Sequence, residues 1–138
     1  MAYEIPGVVI PMESGSTTLA QYKIVRCSAA NTVVHTTGVS TGTGAIMSLG
    51  VTQAVPGAST SSTGRACSVM LTGVTKVLAS SRAISAGAFI RATSGAAATS
   101  GGRARASSNS TPRVVGIALT SAAASTGTRY ITMALLAR

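Results

Sequence analysis

Leu49-Gly50-Val51-Thr52-Gln53-Ala54 is followed by Ser62-Thr63-Gly64 and then by Arg65-Ala66-Cys67-Ser68-Val69-Met70-Leu71. The same order returns near the end of the chain. Val115-Gly116-Ile117-Ala118-Leu119-Thr120 leads through Ser125-Thr126-Gly127 into Arg129-Tyr130-Ile131-Thr132-Met133-Ala134-Leu135. Each copy reads as strand, small-residue turn, strand. Two copies of one hairpin in 138 residues predict a compact barrel or sandwich built by duplication. No side chain common to the two copies can perform covalent chemistry. The echo therefore speaks of architecture, and of a protein that binds and holds.

Working outward, the remaining segments fit the same class. Tyr22–Cys27, Val33–Thr36, Val74–Ala79 and Ala88–Ala92 are short, rich in β-formers and separated by Gly/Ser/Thr turns. Such spacing predicts an all-β fold, a small β-barrel or sandwich of short antiparallel strands. Residues 94–112, SGAAATSGGRARASSNSTP, read as a flexible loop, with a short strand at Arg103-Ala104-Arg105-Ala106. One helical turn is expected at Ala122–Ser125. Residues 1–14 read as an extended N-terminal arm ahead of a single β-barrel-like domain at 15–138. In the arm, Pro6 and Pro11 forbid a helix interior and restrict strand pairing.

Composition bounds the function. Only 9% of residues are charged and 3% aromatic, so the core is built of Val, Ile, Leu, Ala and Met. A core of such small residues gains from burial against partners. The net charge is +9, and the only acids are Glu4 and Glu13. That balance favours an acidic partner, either a protein surface or nucleic acid. The sequence opens without the basic and apolar regions of a secretory signal, so Cys27 and Cys67 are read as reduced thiols. No apolar run approaches the ~18 residues of a membrane span.

A search for chemistry returns little. His35 beside Val33 and Val34 reads as a structural histidine. Glu4 and Glu13 lie on a proline-rich arm, which makes them a poor acid–base pair. Gly42-Thr43-Gly44 lacks the third glycine of a dinucleotide loop, and no Gly-Lys-Ser/Thr is present. With three Cys and His in all, a zinc site lacks ligands. The expectation is a protein that is not an enzyme and has no metal or cofactor. Sequence-specific nucleic-acid recognition is not expected, because Tyr3, Tyr22, Phe89 and Tyr130 are dispersed and form no aromatic-basic cluster.

Three motifs in order carry a resemblance. Gly73-Val74-Thr75-Lys76-Val77-Leu78-Ala79, Ile84-Ser85-Ala86-Gly87 and Val115-Gly116-Ile117-Ala118-Leu119 precede a last alternating strand. Over residues 45–136 the chain resembles the capsid decoration, or cement, proteins of tailed phages. The resemblance implies a β-barrel-like module, commonly trimeric, on the outside of an icosahedral head. There it would lock adjacent major capsid subunits after head expansion. The implied partners are the major capsid protein and further copies of the chain, with the host cytoplasm as the site of synthesis. Family members are often more acidic, so the resemblance leaves the positive charge unexplained. The alternatives are a basic non-specific nucleic-acid-binding protein and a β-rich subunit of a tail or fibre.

The expected partner contacts are Tyr3, Ile5, Pro6, Val8, Val9 and Ile10 of the arm, together with Arg103 and Arg105. Four aliphatic side chains on an arm that prolines keep from full pairing make a sticky segment. Docking on a neighbouring subunit or on the shell is the favoured reading, and docking on its own domain is the alternative.

Overall fold

The computed structural model describes residues 4–15, 19–36, 48–54, 64–93, 101–107 and 114–136. Among them are eleven strands and no helix. The first six are β1 (Ile5–Pro6), β2 (Val9–Ser14), β3 (Ile24–Ala29), β4 (Thr32–His35), β5 (Gly50–Ala54) and β6 (Ala66–Met70). The last five are β7 (Gly73–Leu78), β8 (Phe89–Ala92), β9 (Ala104–Ser107), β10 (Gly116–Ala118) and β11 (Tyr130–Leu135). Strands β2-β4-β3-β5-β6 form a closed barrel, and β1-β7-β11-β10-β8-β9 form a six-stranded sheet. The fold is all-β and barrel-like, as the sequence predicts.

The echo marks one part of a larger duplication. Val51 pairs with Met70 and Thr52 with Val69, as Ile117 pairs with Ala134 and Ala118 with Met133. The match continues through every other strand. Val25 lies between Gly50 and His35, as Ile90 lies between Gly116 and Ala106. Met12 pairs with Cys67, as Val77 pairs with Ile131. A parallel contact of Ser14 with Val33 closes the first barrel, and a parallel bridge of Ala79 with Ala104 stands at the same place in the second. Strands β2 to β6 are therefore repeated, in order, as β7 to β11, with β1 added at one edge.

Strand alternation explains how the repeats pack. In β3, Val25 points into the first barrel with Met12, Val33, Cys67 and Val69. Its neighbour Ile24 points outward, and with Val51 and Met70 it joins the cluster of Val77, Ile90, Ile131 and Met133 of the second repeat. One core fills the first barrel and the other includes residues of both repeats. Polar bonds cross the same boundary. Gln53 Nε2 donates to Thr75 Oγ1 at 2.9 Å, Ile24 N–H to Gly102 O at 2.7 Å, and Leu78 N–H to Tyr22 O at 2.8 Å.

Two sequence expectations change on this background. Residues read as an outward-reaching arm pair within their own chain: β2 lies antiparallel to β6, and Ile5 and Pro6 pair with Val74 and Gly73. Docking on its own domain, the alternative, describes β1 and β2. Pro11 is tolerated for a geometric reason. Leu71 N–H bonds Val8 O and Ser14 N–H bonds Arg65 O, so the even-numbered residues of β2 carry its bonds to β6. The Pro11 nitrogen faces the other side, where β4 joins only at Glu13 and Ser14. Second, Ala122 pairs with Ile84 in a two-bond bridge, so the turn expected at 122–125 is not helical. The short strand expected at 103–106 is present as β9 (Ala104–Ser107), and the loop expected around it falls largely outside the described residues.

Candidate docking surface

Cross-strand partners share a face. In the six-stranded sheet, Ile5 pairs with Val74, Val74 with Ala134, Ala134 with Ile117, and Ile117 with Phe89. This row crosses five strands on the face opposite the inward residues Thr75, Met133 and Ala118. Its ends are exposed, Ile5 at 59% and Phe89 at 38%. Val74, Ala134 and Ile117 between them are half-buried. Leu119, exposed, follows on β10's continuation, where its N–H bonds Thr132 O.

The duplication gives this row a counterpart. In the first repeat the matching residues are Val9, Met70, Val51 and Ile24. Apart from Val9 at the row's end, these are covered: Met70 is 4% exposed, Val51 and Ile24 0%. Burying side chains of this size contributes about 1.5–3 kcal/mol each. The same row position is a packed interface in one repeat and an open apolar face in the other.

Charge borders the open face unequally. Arg91 pairs with Arg105 one step along from Phe89 and Ser107, so the two guanidinium-bearing residues share its outward side. Arg82 beside Arg105, then burial, then Arg91 lower the Arg105 pKa from its ordinary value. Arg129 helps to place the Arg82 turn, its Nη2 donating to Ser80 O and Arg82 O. Both side-chain carboxylates lie elsewhere: Glu13 on β2 of the barrel, Glu4 next to Ile5 at the opposite edge of the sheet. Near the middle, Tyr22 and Tyr130 meet edge to face at 5.7 Å, and Lys76 Nζ lies 5.8 Å from the Tyr22 ring centre. These contacts hold Tyr22 over the β7–β11 part of the sheet.

The residues expected to touch partners divide. Ile5 and Pro6 form β1 at one edge, and Arg105 lies on β9 at the other with Arg103 just before it. Val8 and Val9 are exposed, whereas Ile10 turns inward against the barrel core. Tyr3 lies outside the described residues. Sequence reasoning missed Val74, Ala134, Ile117, Phe89, Arg82 and Arg91. Aligning the repeats beyond the echo would have placed the first four on one row.

The residues weighed for chemistry sit in structural settings. His35 points into the first barrel, sharing a face with Val25. Its Nε2 accepts the Ala20 N–H at 3.0 Å, which places the ring proton on Nδ1. Burial, and then the Lys23 charge, lower its pKa to about 4. Lys23 is itself buried, and burial followed by Arg103 lowers its pKa. Cys27 is an exposed free thiol, and Cys67 is a buried one whose pKa burial raises. Among the described residues, no group of three or more His, Cys, Asp or Glu is placed to hold a metal.

No protein-family model matches the chain, and a comparison with curated proteins gives no match.

Proposed function

We propose that this chain is a structural virion protein: a cement protein that binds the outside of a tailed-phage capsid and links adjacent major capsid subunits. The observation that carries the reading is the open apolar row bordered by Arg82, Arg91 and Arg105. An apolar face with a cationic margin suits a protein surface rich in acids. The resemblance adds to this. Its motifs occupy β7, the turn at Ile84–Gly87, β10 and β11, and these three strands are adjacent in one sheet.

The mechanism is passive linkage. A protein that contacts two shell subunits favours the assembled shell over its parts by mass action. Linked contacts act with a high effective concentration, so individually weak ones suffice. The chain is made in the host cytoplasm and joins the head surface after the shell forms. No catalytic step or cofactor enters this reading.

The arginine cluster favours a second reading, non-specific binding of nucleic acid through phosphate contacts. Co-sedimentation separates the two. Empty shells are assembled from the major capsid protein of the same genome and mixed with the purified chain. The first reading expects saturable binding and a higher shell melting temperature. Absence of shell binding, with steeply salt-dependent binding to duplex DNA, would favour the second.

A further inference from the structure

We propose that Ser80, Arg91, Arg105 and Arg129, with Arg82 beside them, form a binding site for a divalent tetrahedral oxyanion of the phosphate class. Closure of the second repeat brings these residues together. Arg91 pairs directly with Arg105 on the outward side of β8 and β9. Ala79 bridges Ala104, and one step further on Ser80 N–H donates to Ala104 O at 2.8 Å, which sets Ser80 against the strand that carries Arg105. Arg129, just before β11, reaches the same turn, where its Nη2 donates to Ser80 O and Arg82 O. Arg82 lies close enough to lower the Arg105 pKa more than Arg91 does.

Charge and unused donors both point to an anion. Like charges directly opposite on neighbouring strands are destabilising. The side-chain carboxylates that could offset them lie elsewhere, Glu13 on β2 and Glu4 next to β1. Ser80 is only 7% exposed, and its Oγ is buried without a hydrogen-bond partner. Arg91 Nε, Arg129 Nε and Arg129 Nη1 are buried without one as well. Arginine nitrogens only donate, so an acceptor is what satisfies them. A single carboxylate brings one charge to this set. A phosphate dianion brings two, with oxygens enough for the guanidiniums and the hydroxyl together. The duplication supplies an internal comparison. In the first repeat Gly15 stands where Ser80 does and Val34 where Arg105 does. Arg26 matches Arg91 and also has a buried, unpartnered Nε, but Val34 is opposite it. The fold is thus built once without this set, and only the second repeat carries it.

The inference shares Arg82, Arg91 and Arg105 with the margin described above but does not rest on shell binding. A chain that binds shells and not phosphate refutes this inference alone. The test uses the full chain and inorganic phosphate. Titration calorimetry and thermal melting are run against sodium chloride at matched ionic strength, which removes general screening. The expected result is one saturable phosphate site per chain and a melting temperature that rises with phosphate by linkage. Dimethyl phosphate, a monoanion, is expected to bind at least about tenfold more weakly. Arg91→Gln with Arg105→Gln is expected to weaken phosphate binding by at least about tenfold. Ser80→Ala removes a hydroxyl that bonds nothing in the chain, so folding is kept, and is expected to weaken binding roughly fivefold. Arg26→Gln, at the matched position, is expected to leave it unchanged. Circular dichroism of each variant reports whether the chain stays folded. A phosphate response no larger than that of chloride overturns the inference. So does a folded Arg91→Gln, Arg105→Gln chain that binds phosphate as before, or an equal loss from Arg26→Gln.

Discussion

Gly50 and Gly116 occupy one position in the two repeats, and each is pressed against the same carbonyl. A Cβ on Gly50 would run into Met70 O, and one on Gly116 into Ala134 O, the matching residue of the next copy. The neighbouring side chains, Val69 and Met133, correspond as well. The glycines are the reason the hairpin strands approach so closely, and they are why the echo survives in sequence at these points. Gly50→Ala and Gly116→Ala are each expected to cost about 2–3 kcal/mol. Denaturant titration checks this. Near-neutral effects would contradict the packing.

A second matched pair differs in chemistry. Gly87 has φ 83° and Tyr22, at the same place in the first repeat, has φ 58°. Both N–H groups bond matching carbonyls, Ala118 O and Thr52 O. Glycine adopts this backbone freely, whereas tyrosine holds it at a cost of order 1–2 kcal/mol, offset by its contacts with Tyr130 and Lys76. Gly87→Ala is expected to lose about 1 kcal/mol in thermal or denaturant melts. Nothing stands within 4 Å of the added Cβ, so the loss would be conformational alone.

The repeat was legible only where its chemistry is narrow. The Ser-Thr-Gly turns, the paired glycines and the alternating last strands kept recognisable letters. Elsewhere the two copies share geometry without sequence: Met12 matches Val77, and His35 matches Ala106. Any small apolar residue satisfies an inward position of a strand, so the pattern drifts while the register stays. The proline arm misled for a related reason. Pro11 forbids only one ladder side, and which side faces a neighbour is decided by tertiary register. The docking row was invisible because its members come from five strands and are adjacent only across the sheet.

Acid should loosen the first barrel through His35. Burial, then Lys23, hold its pKa at about 4 in the folded chain, against 6.5 when solvated. Between these pH values the unfolded chain binds a proton that the folded chain does not. Stability is thus complete above pH 6.5 and falls as the pH drops towards 4, by on the order of 3 kcal/mol. His35→Gln, which keeps an acceptor for the Ala20 N–H, is expected to flatten that slope. An imidazole titrating near 6.5 by NMR in the folded protein would contradict the assignment.

The two thiols should separate kinetically. Cys27 is exposed, while Cys67 lies inside the first barrel with its pKa raised by burial. Alkylation of the native protein without reductant is expected to modify Cys27 alone. Both thiols are expected to react after denaturation. Equal rates in the native state would place Cys67 at the surface.

The most direct measurement of the central claim is a cryo-electron microscopy reconstruction of native particles that contain this chain. The account predicts copies of this chain on the outer surface of the head, seated across the junctions of adjacent capsid subunits, with the arginine margin of the six-stranded sheet near acidic density. Copies lining the packaged genome, or copies confined to the tail, would contradict it.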